Sequence, residues 1–241
     1  MSAVHQQLEI MRTLCVITFL ALVQFKVFAV AKGKKASLAN KTVVARIKMS
    51  YDSNYSSNFA NKTNQQNITA YLIKLVKKAE EHFNKESIMI MFNVTSVEEK
   101  NNYFVFYENG SVNGMKTLEN MQTIARSEGA SNKTIYCHCS GNTFYAAYPS
   151  KVEMHRLSDM ATNSTFCHAP SALLFVNYPG HGNYRSLAKA LGTTMGARNN
   201  FYFTPQDKAA MNKTLTSCPK ENKRRRKADQ GGGRRRKEAV N

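Results

Sequence analysis

The chain has 241 residues, a length that suits one domain with a sizeable core plus ends rather than several domains. Its formal net charge is +18, and a surplus of seven of these charges lies in the last 23 residues. No apolar residue larger than valine occurs in that terminal stretch, which excludes a second folded unit there.

The N-terminus has the features of a secretory signal. An apolar run at residues 14–25 follows a basic residue, and small residues at 29–31 suit signal-peptidase cleavage. The run is too short for a membrane span, and Lys26 interrupts it. The sequence therefore predicts a signal peptide at residues 1–31, with Met11 as a possible start, and a secreted protein.

Glycosylation acceptors support the same compartment. Nine Asn-x-Ser/Thr triplets occur, where chance predicts only about three. They begin at Asn40, Asn54, Asn61, Asn67, Asn93, Asn109, Asn132, Asn163 and Asn212. We predict a heavily glycosylated extracellular protein.

Strand and helix patterns alternate along the chain. The period is two at residues 43–49, and apolar residues recur at helical spacing at 69–84 and 115–126. A continuously apolar stretch at 88–92 is typical of a strand covered on both faces. Further strands are predicted at 134–138, 143–148 and 172–176, and a helix opens near Asn183. Residues 52–68, rich in Asn and Ser, are predicted to form an exposed glycosylated loop. This order predicts an α/β sandwich with a mixed, mostly parallel sheet.

The last predicted helix has the frame of a zinc-protease helix, H-E-x-x-H-x-x-G-x-x-H, without its chemistry. The three ligand positions hold Arg185, Lys189 and Met195, and the general-base position holds Ser186. Gly192 stands where the frame turns the chain toward its third ligand. Any short amphipathic helix that ends in Gly fits the same pattern.

Four cysteines remain after removal of the signal. Cys137 and Cys139 would bridge each other only with strain. Cys167 with Cys218 is the preferred pair, but four cysteines allow three pairings and the sequence alone does not choose among them. Cys137-His138-Cys139 is too compressed for a zinc site. We predict that the scattered histidines are surface residues: His138, His155, His168 and His181.

The ordered set of segments resembles the reprolysin (adamalysin) family of metzincin metalloproteases, especially the secreted salivary type of ticks. The matching segments are residues 50–55 (SYDSNY), 88–94 (IMIMFNV), 113–118 (NGMKTL) and 144–147 (FYAA), and the resemblance covers about residues 40–218. It implies a three-layer metzincin-like domain at 32–218 with an active-site-type helix near 182–192. Cys167 and Cys218 fall where the family joins the sheet region to the end of the domain.

The departures from the family imply a pseudoprotease. No zinc ligand or base stands at a matching position, so no cofactor is expected, and binding of a host or extracellular protein in the former substrate cleft is the expected activity. Arg185 and Lys189 form a further hypothesis, because two cations at the ligand positions would suit a partner's carboxylate. Three alternatives stay open: an active zinc metalloendopeptidase with ligands from elsewhere, a secreted lipocalin-like carrier, and a nuclear basic protein. The last would require an uncleaved N-terminal segment and unmodified Asn sites.

Residues 219–241 form a basic, low-complexity tail. Clustered cations favour attachment to heparan sulfate or another polyanion, and a solvated or trimmed end is the other interpretation. The signal and the acceptor triplets disfavour nucleic acid. The candidate residues are Lys223, Arg224, Arg225, Arg226, Lys227, Arg234, Arg235, Arg236 and Lys237.

Overall fold

The computed structural model describes residues 42–62, 67–147 and 154–219. The predicted signal segment, Asn40, Tyr148 and the basic runs of the tail lie outside these residues. In chain order the described elements are β1 (Val43–Tyr51), α1 (Ser53–Lys62), α2 (Ile68–Lys85), β2 (Ile90–Glu99), β3 (Val112–Asn113), α3 (Gly114–Ser127), β4 (Thr134–Ser140), β5 (Phe144–Ala147), β6 (Met154–Leu157), β7 (Asp159–Ala161), β8 (Ser171–Val176), α4 (Arg185–Thr194) and α5 (Pro205–Ser217).

A five-stranded sheet organises these elements in the order β2-β1-β4-β8-β7. The β1–β2, β1–β4 and β4–β8 pairs are parallel, and only β7 runs antiparallel, at the edge next to β8. A small second sheet has the order β3-β5-β6. The predicted mixed, mostly parallel α/β architecture is confirmed. The lipocalin-like alternative is wrong, because such a carrier is built from antiparallel strands.

Side-chain alternation along the strands divides the core into two parts. Ala45, Ile47 and Met49 of β1 face one side, where they join a cluster that includes buried residues of α1, α2, α4 and α5. Tyr136 and Leu174 face the other side and pack with α3 and the small sheet. The sheet is therefore the middle of three layers, as predicted.

Two helices follow the predicted apolar periodicity closely. α2 and α3 extend the predicted ranges by no more than one residue at each end. An Asn side chain caps each of them: Asn67 accepts a hydrogen bond from Ala70 N, and Asn113 from Lys116 N. These caps satisfy backbone donors that have no partner inside the helix.

The predicted loop at residues 52–68 is wrong, because α1 occupies most of it. Tyr55 and Phe59 are four residues apart, and both are buried on the inner face of this helix. The carboxylate of Asp52 accepts a hydrogen bond from Tyr55 N and holds the first turn. Two aromatic anchors at helical spacing were enough to attach a helix whose other side chains are mostly polar and exposed.

The prediction that residues 88–92 form a strand covered on both faces is also wrong. β2 begins at Ile90 and lies at the edge of the sheet. In its first half, side chains point alternately into the core and toward solvent. Ile90 and Phe92 are buried, whereas Met89 and Met91 are about half exposed. An apolar run does not distinguish a central strand from an edge strand with one open face.

α5 was not predicted, because its sequence has almost no apolar periodicity. It begins with a capping box in which Thr204 and Asp207 satisfy each other's backbone groups. Burial favours the neutral acid at Asp207, but hydrogen bonds from Thr204 and Arg198 outweigh it and lower the pKa of this carboxyl. A disulfide from Cys167 to Cys218 ties the helix end to the sheet layer, as the preferred pairing predicted.

Asp52 predicts a specific acid sensitivity. Burial raises the pKa of its carboxyl. Nearby His138 and hydrogen bonds from Tyr55 N and the Ser140 hydroxyl lower this pKa by a larger amount, so the net shift is downward. The ionised group therefore stabilises the fold above the unfolded pKa of about 3.9, and this stabilisation is lost as pH falls through the folded value.

We expect Asp52→Asn to cost about 2 kcal/mol at pH 6, because buried donors lose their charged partner. The gap between this variant and the wild type should narrow below about pH 4, where the carboxyl takes up its proton in the unfolded wild type before it does so in the folded protein. Urea unfolding at pH 6 and at lower pH measures this gap. A gap that stays constant with pH would contradict the assigned direction.

Candidate functional site

A cleft of about 730 Å³ opens beside the N-terminal end of α4. Its walls come from the junction of β6 and β7, from the end of β8 and from the segment that leads into α4. The side chains that give it chemical character are Arg156, Ser158, Tyr178, His181, Asn183 and Ser186.

Buried tyrosines hold one wall of the cleft in place. Asn177 follows β8 and is 4% exposed, and its Oδ1 accepts hydrogen bonds from the hydroxyls of Tyr55 and Tyr71. Its Nδ2 donates to the carbonyl of Asn183. Burial raises the pKa of both tyrosines, so they remain neutral donors. The segment between β8 and α4 is thereby fastened to α1 and α2.

A second set of bonds fixes the tip of the same segment. Gly182 N donates to the Tyr71 hydroxyl, and Lys78 Nζ donates to the Gly182 carbonyl over 3.2 Å. Gly182 has φ +59, a conformation that residues with a side chain seldom adopt. The wall of the cleft is therefore preorganised rather than a loose loop.

The lining is cationic and rich in hydrogen-bond donors. Arg156 Nη2 lies 3.5 Å from the hydroxyl of Tyr178, a side chain that is 56% exposed. His181 is exposed on the same segment as Tyr178, between β8 and α4. None of the described residues that line the cleft is Asp or Glu. The arrangement suits a ligand that carries negative charge.

The residues at the zinc-ligand positions of the sequence frame do not fit zinc. Lys189 Nζ lies 2.8 Å from Asp159 Oδ2, with that carboxylate 1% exposed, so this cation is already paired inside the protein. Met195 is fully buried in the core. Arg185 is exposed, and its guanidinium carbon lies 5.0 Å from the Phe201 ring centroid. Two cations and a buried thioether do not form a zinc site.

The chain also turns at a different place from the one that the frame predicts. α4 continues through Gly192 to Thr194, and the backbone reverses at Gly196, which has φ +97. Gly192 serves packing instead, since an added Cβ there would lie 3.0 Å from Phe203 Cε1. Because α4 continues past Gly192, where the frame would end the helix, Met195 enters the core rather than the cleft.

The hypothesis that Arg185 and Lys189 together hold a partner's carboxylate therefore needs correction. Lys189 holds an internal carboxylate, Asp159, to which the Ser158 hydroxyl also donates over 2.7 Å. Arg185 stays at the surface, on a ring that itself stacks on His82 with centroids 4.2 Å apart. Arg185 is therefore the exposed one of the two cations, whereas Lys189 is partly buried beside its carboxylate. Ser186, at the base position, lines the cleft.

The prediction that the histidines are surface residues is wrong for His138. It is completely buried, and its Nδ1 lies 2.9 Å from the Ser50 hydroxyl, while Nε2 lies 3.8 Å from Asp52 Oδ2. Ser140 donates to the same carboxylate. Alternation along β1 and β4 places Ser50, His138 and Ser140 on one face of the sheet. The alternation is visible in the sequence, but it indicates a buried polar cluster only once the two strands are known to pair.

The neighbouring cysteines do not share this face. Cys137 and Cys139 are buried on the opposite side of β4, and burial raises the pKa of both thiols. His168 is exposed beside Cys167, whose sulfur is in the disulfide, so no Cys/His nucleophile pair forms there. Across residues 42–62, 67–147 and 154–219, no three His, Cys, Asp or Glu side chains come together to hold a metal ion.

Most of the glycosylation acceptors that the structure describes are accessible. Asn132 is the exception: it is half-buried, and its Nδ2 donates to the Cys167 carbonyl over 2.8 Å. The exposed acceptors are Asn54, Asn61, Asn67, Asn93, Asn109, Asn163 and Asn212. Within the described part of the chain, no helix has the length and apolarity needed to cross a bilayer.

Comparisons with known proteins are limited to structural similarity. No protein family's sequence profile matches the chain, and no curated protein sequence matches it. It is similar to metalloproteinase-II from Bacteroides fragilis, with 10% identity and a TM-score of 0.42 over 76% of this chain and 56% of that one. It is also similar to archaemetzincin from Methanopyrus kandleri, with 10% identity and a TM-score of 0.43 over 74% of this chain and 99% of that one.

A third similar structure is described as a chaperone-substrate complex. It is 6% identical, with a TM-score of 0.41, and the match covers 65% of this chain and 24% of the other. The chain thus spans about a quarter and about half of the lengths of two of these proteins. With identities of 6–10% and TM-scores below 0.5, these similarities do not determine its family.

Proposed function

We propose that the chain is a secreted glycoprotein that works by binding, on a reprolysin-like scaffold that has lost zinc and proteolytic activity. The supporting observation is the Lys189–Asp159 pair. A ligand position of the frame is filled by a cation that a buried carboxylate holds 2.8 Å away. Since a catalytic zinc needs three protein ligands and an open water position, a paired lysine there is incompatible with that chemistry.

The proposed binding site is the cleft, and the proposed ligand is an acidic segment of a host or extracellular protein. Arg156 and His181 line the cleft, the described residues of its lining include no acid, and Tyr178 adds an exposed aromatic ring. Arg185 lies between two lining residues, Asn183 and Ser186, and the Phe201 ring orients its guanidinium. Tyrosine and arginine dominate binding energy at many protein interfaces, and arginine suits carboxylates.

The basic tail is proposed to add a second, less specific attraction. Its clustered cations favour heparan sulfate or another polyanion, with an affinity that falls as salt rises. Such contacts would concentrate the protein near the cell surface or matrix, where the cleft meets its partner.

The experiment that tests this function uses the mature protein secreted from eukaryotic cells. We expect no stoichiometric zinc by elemental analysis and no chelator-sensitive cleavage of casein or gelatin. One tightly held zinc per molecule together with such cleavage would overturn the loss of catalysis.

A second measurement tests the ligand class. Calorimetry should show binding of an Asp/Glu-rich peptide and not of the matched peptide with Asn and Gln in place of each acid. Arg156→Ala should weaken this binding about tenfold, the loss of one charge-assisted contact. Arg126→Ala on α3, an exposed arginine outside the cleft lining, is the matched control. Equal binding of both peptides would contradict an acidic ligand.

A further inference from the structure

One face of the sheet is left open at its β2 edge. Val44 is 41% exposed, Met89 is 48% exposed and Met91 is 49% exposed. Val44 is the register partner of Met91, so their side chains lie side by side on the same face. Together Val44, Met89 and Met91 form what we call the open face.

The open face exists because α3 stops short of it. On that side of the sheet, the apolar cluster formed by α3 and the small sheet has no member from β1 or β2. Burial on the opposite side is complete, since Ala45 and Ile90 have 0% and 1% exposure there. Side chains that alternate with these buried residues therefore point outward, and among the described residues no apolar layer covers them.

Asn93 is placed to supply the missing cover. Alternation along β2 puts Asn93 on the same face as Met89 and Met91, two residues or about 7 Å beyond Met91. Asn93 is exposed, and Asn93-Val94-Thr95 is an acceptor triplet. The first two sugars of an N-linked glycan present C–H faces as well as hydroxyl edges, so they can lie on apolar side chains while their edges stay hydrated.

We propose that an N-linked glycan on Asn93 lies over Val44, Met89 and Met91 and is the covering layer of the open face. This rests on the secreted, glycosylated part of the proposed function and not on the cleft. The same glycan stands at the edge strand of the sheet, whose outer side has no neighbouring strand among the described residues and otherwise invites strand addition by a second molecule. Its role is then to keep the secreted protein monomeric.

The test compares variants of the full chain secreted from eukaryotic cells. Asn93→Gln removes the acceptor, and Thr95→Ser retains it with the smallest possible change. Asn212→Gln removes an exposed acceptor on α5, away from the sheet. Glycopeptide mass spectrometry gives the occupancy, gel filtration gives the oligomeric state, and a dye specific for apolar surface reports exposure of the open face.

We expect Asn93→Gln to raise dye fluorescence and to shift elution from monomer toward dimers or larger species. Thr95→Ser and Asn212→Gln should elute as the wild type does. Adding Met89→Thr and Met91→Thr to Asn93→Gln should restore the monomer, because the surface that associates has been made polar.

Several results would overturn the role of this glycan. Unmodified Asn93 beside occupied Asn212 would do so while leaving the secreted glycoprotein intact, whereas the absence of glycan at every acceptor would sink that broader function as well. A glycosylated wild type that dimerises through Met91 would show that a second copy is the cover. Retention of residues 1–31 in the secreted protein, with cross-links to Met89 or Met91, would show that the N-terminal segment covers the open face.

Discussion

Replacing Cys167 and Cys218 with alanine is expected to lower the free energy of unfolding by about 4 kcal/mol. The bridge joins residues separated by 51 positions, so its loss returns considerable conformational freedom to the unfolded chain. It also releases the end of α5, whose buried apolar contacts come mainly from Met211 and Leu215. Urea unfolding of the mature protein measures the effect.

The chain offers a matched control for this substitution. Cys137→Ala with Cys139→Ala also removes two sulfur atoms, and these thiols are free and buried. Only packing is lost there, at about 1 kcal/mol for each site. Equal losses in the two double variants would mean that the disulfide stabilises only through packing. In unfolded mature wild type, thiol titration should find two free thiols.

Replacing Lys189 with alanine is expected to cost about 3 kcal/mol, the second large effect. The substitution leaves the Asp159 carboxylate buried without its cation, and breaking a buried pair from one side is strongly destabilising. The value lies at the low end for such pairs, because the Lys189 side chain is 25% exposed and water partly screens it. Chemical denaturation at neutral pH provides the measurement.

Arg185→Ala is the control for Lys189, since the two cations are one helical turn apart on α4. Arg185 is exposed and contributes only a cation–π contact, so its loss should cost no more than about 1 kcal/mol. Replacing both members of the internal pair, by Lys189→Met with Asp159→Leu, should recover most of the stability. If Lys189→Ala were as mild as Arg185→Ala, the pair would have no structural role.

Periodicity alone located the long helices and most strands, and it failed where tertiary contacts decide. α2 was predictable because five apolar residues recur on one face and a polar face accompanies them. α1 was missed because Tyr55 and Phe59 are surrounded by Asn and Ser in the sequence. Only the structure shows that these two aromatic side chains attach the helix to the core on one side of the sheet. α5 was missed for a similar reason: its start is set by a polar capping box rather than by an apolar stripe.

The candidate site divides in the same way. Ligand-type residues are absent from the frame positions, and this follows from residue identity alone. What Lys189 does instead could not be predicted, because Asp159 lies 30 positions away and meets it only through the pairing of β7 with β8. His138 was misplaced because a single histidine carries no sign of burial until β1 and β4 bring it against Ser50.

Residue order by itself determined the α/β class, the mostly parallel sheet and the absence of zinc-binding side chains from the frame, because each depends on local periodicity, on the order of the elements or on side-chain chemistry. Only the tertiary structure decided where the chain turns after α4, which of the two helix cations remains free, and which face of β2 is uncovered. These depend on contacts between segments far apart in the chain, where steric fit and burial of charge outweigh local preference.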